Sequence, residues 1–159
     1  MTTLLWLRRD LRRGDHPALA AAAADGPVLA CFVLDPALLA TSSPVRTGWL
    51  AACLQAADAD YDGRLCVRAG APEDVIPALA AEVGATAVHV SAETEPAGAA
   101  RDARVRAALA GRGVGWAESG SPYAVTPGRV RSGSGHGFTV FAAFLRGWRQ
   151  HGWRAPAVE

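Results

Sequence analysis

Val28–Leu34 (VLACFVL) is apolar at every position. Successive side chains of a strand point to opposite faces, so a strand with no polar face must be covered on both sides. That places it inside a sheet with a layer above and a layer below. Shorter runs of the same kind recur at Thr3–Leu7, Arg64–Ala69 and Thr86–Val90, with a weaker one at Val114–Glu118. Helical patterns lie between them. One runs from Asp15 as N-cap, with Pro17 in its first turn, to Ala24, where Asp25-Gly26-Pro27 stops it. Others cover Val45–Ala59, Glu73–Val83 and Ala97–Ala110, the last ended by Gly111. Strands separated by helices of this length require right-handed parallel crossovers. The expected fold is a doubly wound, Rossmann-like α/β domain: a five-stranded parallel sheet with helices on both faces. At 159 residues the chain holds one such domain.

The rhythm changes after Glu118. Residues 119–137 are rich in Gly, Ser and Pro, and Phe138, Phe141, Leu145 and Trp148 then recur at helical spacing over Phe138–Gln150. Residues 119–159 therefore read as a loop-plus-helix exit segment. The net charge of +1 is unevenly spread. The central stretch 16–119 is acidic, whereas 120–159 carries five Arg against Glu159 alone. Such a segment suits nucleic acid, an acidic partner surface, or simple solvation. Cys31, Cys53 and Cys66 have no metal or redox spacing, and the opening apolar run meets Arg8 at once. These features predict a cytoplasmic chain with reduced cysteines and no membrane partner.

In a sheet of this kind ligands bind beyond the carboxyl ends of the strands. The residues there are Arg8, Arg9 and Asp10 after the first strand, Asp35 after the second, and Ser91, Glu93 and Glu95 after the fourth. They suit a polar planar ligand needing several oriented hydrogen bonds, or else they pair with one another. No GxGxxG follows the first strand, and the chain has no Lys for a Walker-type site. Gly133–Gly137 reads as a hinge before the last helix. The four histidines share no metal spacing, and His89 and Cys31 sit inside strands, packed rather than reactive. Trp6 and Trp49 read as core or pocket lining. Trp148 and Trp153 read as a docking stripe, with base stacking the alternative.

Trp6-Leu7-Arg8-Arg9-Asp10-Leu11-Arg12, followed by Asp15 and Pro17-Ala18-Leu19, closely resembles the opening of DNA photolyases and cryptochromes. Phe32-Val33-Leu34-Asp35-Pro36, Glu93-Thr94-Glu95-Pro96 with Arg101-Asp102, and Ser132–Gly135 through Phe144 to Trp148 agree in order and spacing. The chain departs from the pattern at Ser91, often Asn, at Ala97, near which an aromatic is missing, and at Phe138 and Ala143, usually Tyr and Pro.

The resemblance implies the family's N-terminal α/β domain, which holds an accessory light-harvesting pigment. It implies an 8-hydroxy-5-deazaflavin, with a methenyltetrahydrofolate as the alternative. That pigment would lie against Arg9, Val33, Leu34 and Asp35, with Arg46 from the following helix and Glu93 and Glu95 opposite. It would pass excitation to a reduced flavin (FAD) on a helical domain, where a pyrimidine dimer in DNA is split. That domain is expected outside these 159 residues, a separate flavin-binding helical partner among the forms it could take, so DNA is engaged only indirectly. The expectation is a pigment-binding module with no catalytic residue and no metal, not by itself a deoxyribodipyrimidine photo-lyase. Freed of the helical domain, Phe138–Trp148 would expose an apolar patch. The rival readings are a small nucleotide-binding domain, universal-stress-like or electron-transfer-flavoprotein-like, and an interaction domain with an empty pocket.

Overall fold

A computed structural model describes residues 1–157. β1 (Thr2–Leu7), β2 (Val28–Leu34), β3 (Cys66–Ala69), β4 (Ala85–Val90) and β5 (Gly115–Glu118) form one sheet in the order β3-β2-β1-β4-β5. All four pairings are parallel. The helices are α1 (Pro17–Asp25), α2 (Pro36–Ala40), α3 (Pro44–Asp60), α4 (Pro72–Glu82), α5 (Pro96–Ala110) and α6 (Phe141–His151). The expected fold class is the observed one. The chain builds β2 and β3 on one side of β1, then crosses over to build β4 and β5 on the other. The strand order therefore reverses between β1 and β4.

Alternation along the strands sends side chains into two separate cores. Leu4, Trp6, Cys31, Val33, Val88 and Val90 meet Ile76 and Leu79 of α4 and Val105 and Leu109 of α5. Leu5, Leu7, Ala30 and Phe32 meet Ala18 of α1 and Leu54 and Ala57 of α3. The Ala-rich α1 lies close to the sheet because its buried positions, Ala18 and Ala22, carry only methyl groups. His89 faces this layer and is buried, its Nε2 3.2 Å from Asp25 of α1.

Several local expectations need correction. The cap of α1 is His16, not Asp15: its Nδ1 accepts the Leu19 N–H at 3.2 Å. Asp15 instead adopts a left-handed conformation, φ 52°. Its Oδ1 accepts from Arg154 at 2.5 Å and from the Ala157 N–H at 2.7 Å, tying the end of the exit segment to the domain. The stretch after β2 is not all loop, because Asp35 caps the one-turn α2. Trp49 is not core: it is 72% exposed, and with Leu38, Arg46 and Leu50 it lines a small hollow of about 290 Å³ instead. The last helix starts at Phe141 rather than Phe138, and the Phe138 ring folds back against the helix near Gly147. Val140 and Phe141 are exposed.

A neutral imidazole is needed at His16, because a protonated Nδ1 cannot accept. Burial pushes the His16 value below its ordinary 6.5, with Asp10 opposing. The unfolded chain then takes up the proton more readily than the folded one. The cap's contribution is complete above about pH 6.5 and is lost as pH falls through the lowered value. Urea midpoints measured from pH 7.5 to pH 5 should fall less steeply for His16→Asn, which caps without titrating. His16→Ala should cost about 1 kcal/mol at pH 7.5. Parallel pH profiles for wild type and His16→Asn would contradict this account.

Candidate functional site: a groove at the strand tips

The crevice at the strand-order reversal is filled. Arg8, leaving the end of β1, is buried between the two tips and donates to Asp102 of α5 and to the Ser91 carbonyl. Only about 10 Å³ stays open there, between Trp6–Asp10, His16, Ser91–Glu93 and Pro122. Burial drives the Arg8 value down, and the bond and charge of Asp102 work against it. Arg101 binds the other Asp102 oxygen at 2.8 Å, and both guanidinium groups lie 5.0 Å from the Trp6 ring centroid. Trp6 is 3% exposed and meets Trp116 of β5 edge-on, with ring centroids 6.3 Å apart.

Open space lies one strand over. A groove of about 780 Å³ runs across the tips of β1 and β2, and Phe32 and Val33 are among its apolar walls. Its rim carries Arg9, Asp35, Arg46, Glu93 and Glu95. Six of the seven residues singled out from the sequence therefore surround one space. Leu34 is not among its lining residues; it packs in the layer beneath α1 and α3. Sequence reasoning missed Arg101 and Arg104 from α5, and Pro122 and Tyr123 from the exit segment, all of which line the groove.

Pairing and ligand exposure coexist at the rim. Arg9 Nε reaches Glu93 at 3.3 Å and its Nη2 reaches Glu95 at 3.4 Å. Partial burial lowers the Arg9 value, but the two carboxylates outweigh it and leave it raised. Glu93 is 6% exposed in its side chain. Its Oε1 accepts the N–H groups of Thr94 and Glu95 at 2.8 and 3.0 Å, and Arg101 lies 3.7 Å from Oε2. Burial alone would raise its carboxyl, yet those two N–H groups and Arg9 hold it below the usual carboxylate range. Glu93 fits this space because residue 98 is glycine: a Cβ there would come within 2.5 Å of the Glu93 carboxyl. Asp35 Oδ1 accepts the Ala37 N–H at 2.9 Å and keeps its other oxygen for the groove. The guanidinium of Arg46 has no hydrogen-bond or ion-pair partner among the described residues.

Elsewhere the chemistry is sparse. The Ser132–His136 stretch closes on itself through Ser132 N–H to His136 O at 2.8 Å and Gly135 N–H to Ser132 O at 2.8 Å. Those amides are turned inward rather than toward a phosphate. Cys31 is buried, and burial drives its thiol far up, which leaves it unreactive. Among the described residues no group of His, Cys, Asp or Glu is placed to hold a metal ion. None of their helices is long and apolar enough to cross a membrane.

A family model described as DNA photolyase matches residues 3–159. The chain belongs to the DNA photolyase family. It is 36% identical to the deoxyribodipyrimidine photo-lyase of a Synechococcus strain, over 92% of this chain and 31% of that protein. It is 35% identical to that of Halobacterium salinarum, over 98% of this chain and 35% of the other. The chain thus spans about a third of the length of these curated relatives. Among solved structures, a Synechocystis cryptochrome superposes with a TM-score of 0.85 at 22% identity, over 97% of this chain and 35% of that one. An archaeal photolyase from Sulfolobus tokodaii, described as holding two FAD molecules and implying a novel light-harvesting cofactor, superposes at 0.81 with 21% identity. It matches 98% of this chain and 36% of that one. At those identities the two structures speak for the fold, and the family rests on the sequence matches.

Proposed function

We propose that this photolyase-family domain is a light-harvesting module whose groove holds an 8-hydroxy-5-deazaflavin. The module hands excitation to a reduced flavin on a helical partner that repairs DNA. The observation that carries this reading is the groove itself. Its volume falls within the range of small-molecule sites, and apolar walls beside a sparse polar rim suit a flat ring with hydrogen-bonding edges. Arg46 and the exposed edge of Arg9 supply donors; Asp35 and Glu95 supply acceptors for ring N–H or hydroxyl groups. Glu93 already accepts three hydrogen bonds and holds the loop that presents Glu95. When bound, the pigment would supply absorption and excited-state energy; the protein binds it, orients it and keeps water from its face. Methenyltetrahydrofolate is the alternative occupant.

Equilibrium dialysis of the 159-residue chain against 8-hydroxy-5-deazaflavin, methenyltetrahydrofolate, FAD and ATP separates the readings. Deazaflavin is expected to be retained at close to one per chain. Arg46→Ala should weaken it roughly tenfold, the worth of about one charge-assisted hydrogen bond. Retention of ATP alone would favour the small nucleotide-binding alternative, and retention of none of the four would overturn the pigment reading.

A further inference from the structure

A second hollow, separate from any pigment chemistry, opens between the start of the exit segment and its end. It has a volume of about 340 Å³, and Tyr123, Thr126, Arg129, His151, Trp153 and Arg154 are among the residues around it. Three features set it apart from the groove. Among the described residues no carboxylate lines it, whereas Asp35, Glu93 and Glu95 line the groove. Its cations are only partly used: the Arg129 guanidinium has no partner among the described residues. Arg154 binds Asp15 through Nη1, while its Nε is buried with no acceptor among those residues. Finally, its aromatic wall is held in place. Trp153 stacks on Trp148 of α6, with centroids 5.0 Å apart and planes 27° apart, yet remains 61% exposed.

We propose that this hollow binds a nucleotide unit, a planar base carrying a phosphate, either free or within a single strand. The base stacks on the open face of Trp153, as bases do on exposed aromatic side chains. The phosphate takes the charge of Arg129, and Arg154, whose Nη groups are already held by Asp15, adds its charge from the side. The hydroxyls of Ser121 and Thr126 are engaged with each other at 3.1 Å, so recognition falls to the ring and the cations. A site built this way tolerates different bases, because every base presents a π face.

Fluorescence anisotropy of a labelled twelve-residue thymidine oligonucleotide, with thymidine monophosphate as an unlabelled competitor, tests this on the full chain. Binding in low salt is expected, with affinity falling as salt rises, since phosphate contacts release counterions. Trp153→Ala and Arg129→Gln should each weaken it roughly tenfold. Arg106→Gln, which removes the same charge from an exposed position on α5, should leave it unchanged. Competition by the monophosphate at concentrations matching the oligonucleotide identifies a free nucleotide as the ligand. Competition only at far higher concentration identifies a strand. Trp153→Ala could loosen the tail, but Arg129→Gln breaks no side-chain hydrogen bond or ion pair among the described residues, so the pair keeps the test decisive. No binding of either probe, or equal losses in Arg129→Gln and Arg106→Gln, would overturn the site. Pigment retention is read separately, by dialysis, since Tyr123 lines both the hollow and the groove.

Discussion

Arg8→Met is expected to destabilise the domain by about 3–5 kcal/mol, because it leaves the buried carboxylate of Asp102 without its main partner. Arg8 and Asp102 are each only 8% exposed in their side chains, so solvent cannot step in for the lost guanidinium. Arg101 still reaches one Asp102 oxygen. The other oxygen and the Ser91 carbonyl lose their donor together. For a domain of this size the melting temperature should drop by roughly 10 °C. The double variant Arg8→Met, Asp102→Leu should recover much of that loss, since it removes both charges rather than one. If Arg8→Met melts within a degree or two of wild type, the pair is only a surface contact. The ion pair also has a functional cost. By filling the crevice at β1 and β4, Arg8 diverts any ligand to the groove beside it, so the double variant should open a space that wild type lacks.

Trp6→Ala should cost a comparable amount, about 3–5 kcal/mol for a buried aromatic. Its ring sits among the β-sheet, Trp116 and two guanidinium groups, and its loss would leave those charged groups facing a void. Trp6→Phe keeps most of the apolar contact but weakens the cation–π attraction, for which indole is the best ring. It should lose about 1–2 kcal/mol. Trp6 also lines the groove, so Trp6→Phe should change pigment affinity while Trp6→Ala largely removes the folded site. Chemical denaturation followed by far-ultraviolet circular dichroism measures the first effect, and dialysis the second. Equal stability of the two variants would show that the ring's edge contacts carry nothing.

Much of this fold was legible because burial on two faces leaves a plain mark. A run such as Val28–Leu34 can hardly be anything but an inner strand, and the helix lengths between strands leave only parallel crossovers. The tips of those strands then named Arg9, Asp35, Glu93 and Glu95. What escaped reading was set by tertiary partners. Asp15 has good capping chemistry, yet the exit segment claims its carboxylate and His16 takes the cap. Trp49 is as apolar as Trp6, but nothing in its neighbourhood says which face of α3 will be covered. The pairing of Arg8 with Asp102 joins residues 94 apart in the chain, which no local pattern reveals. Arg101 and Arg104 had a usable signal: with Ala97 and Gly98 they share one face of α5 at three- and four-residue intervals, starting where the helix meets the strand tips.

Pro122 and Tyr123 give the groove one wall from outside the sheet. Whatever holds residues 119–157 in place also sets the shape of the cavity, so the two are thermodynamically linked. A guest that prefers the closed wall tightens the attachment of that arm, and a partner gripping the arm raises affinity for the guest by the same free energy. Through Pro122 and Tyr123, anything that loosened the arm would also reshape the groove.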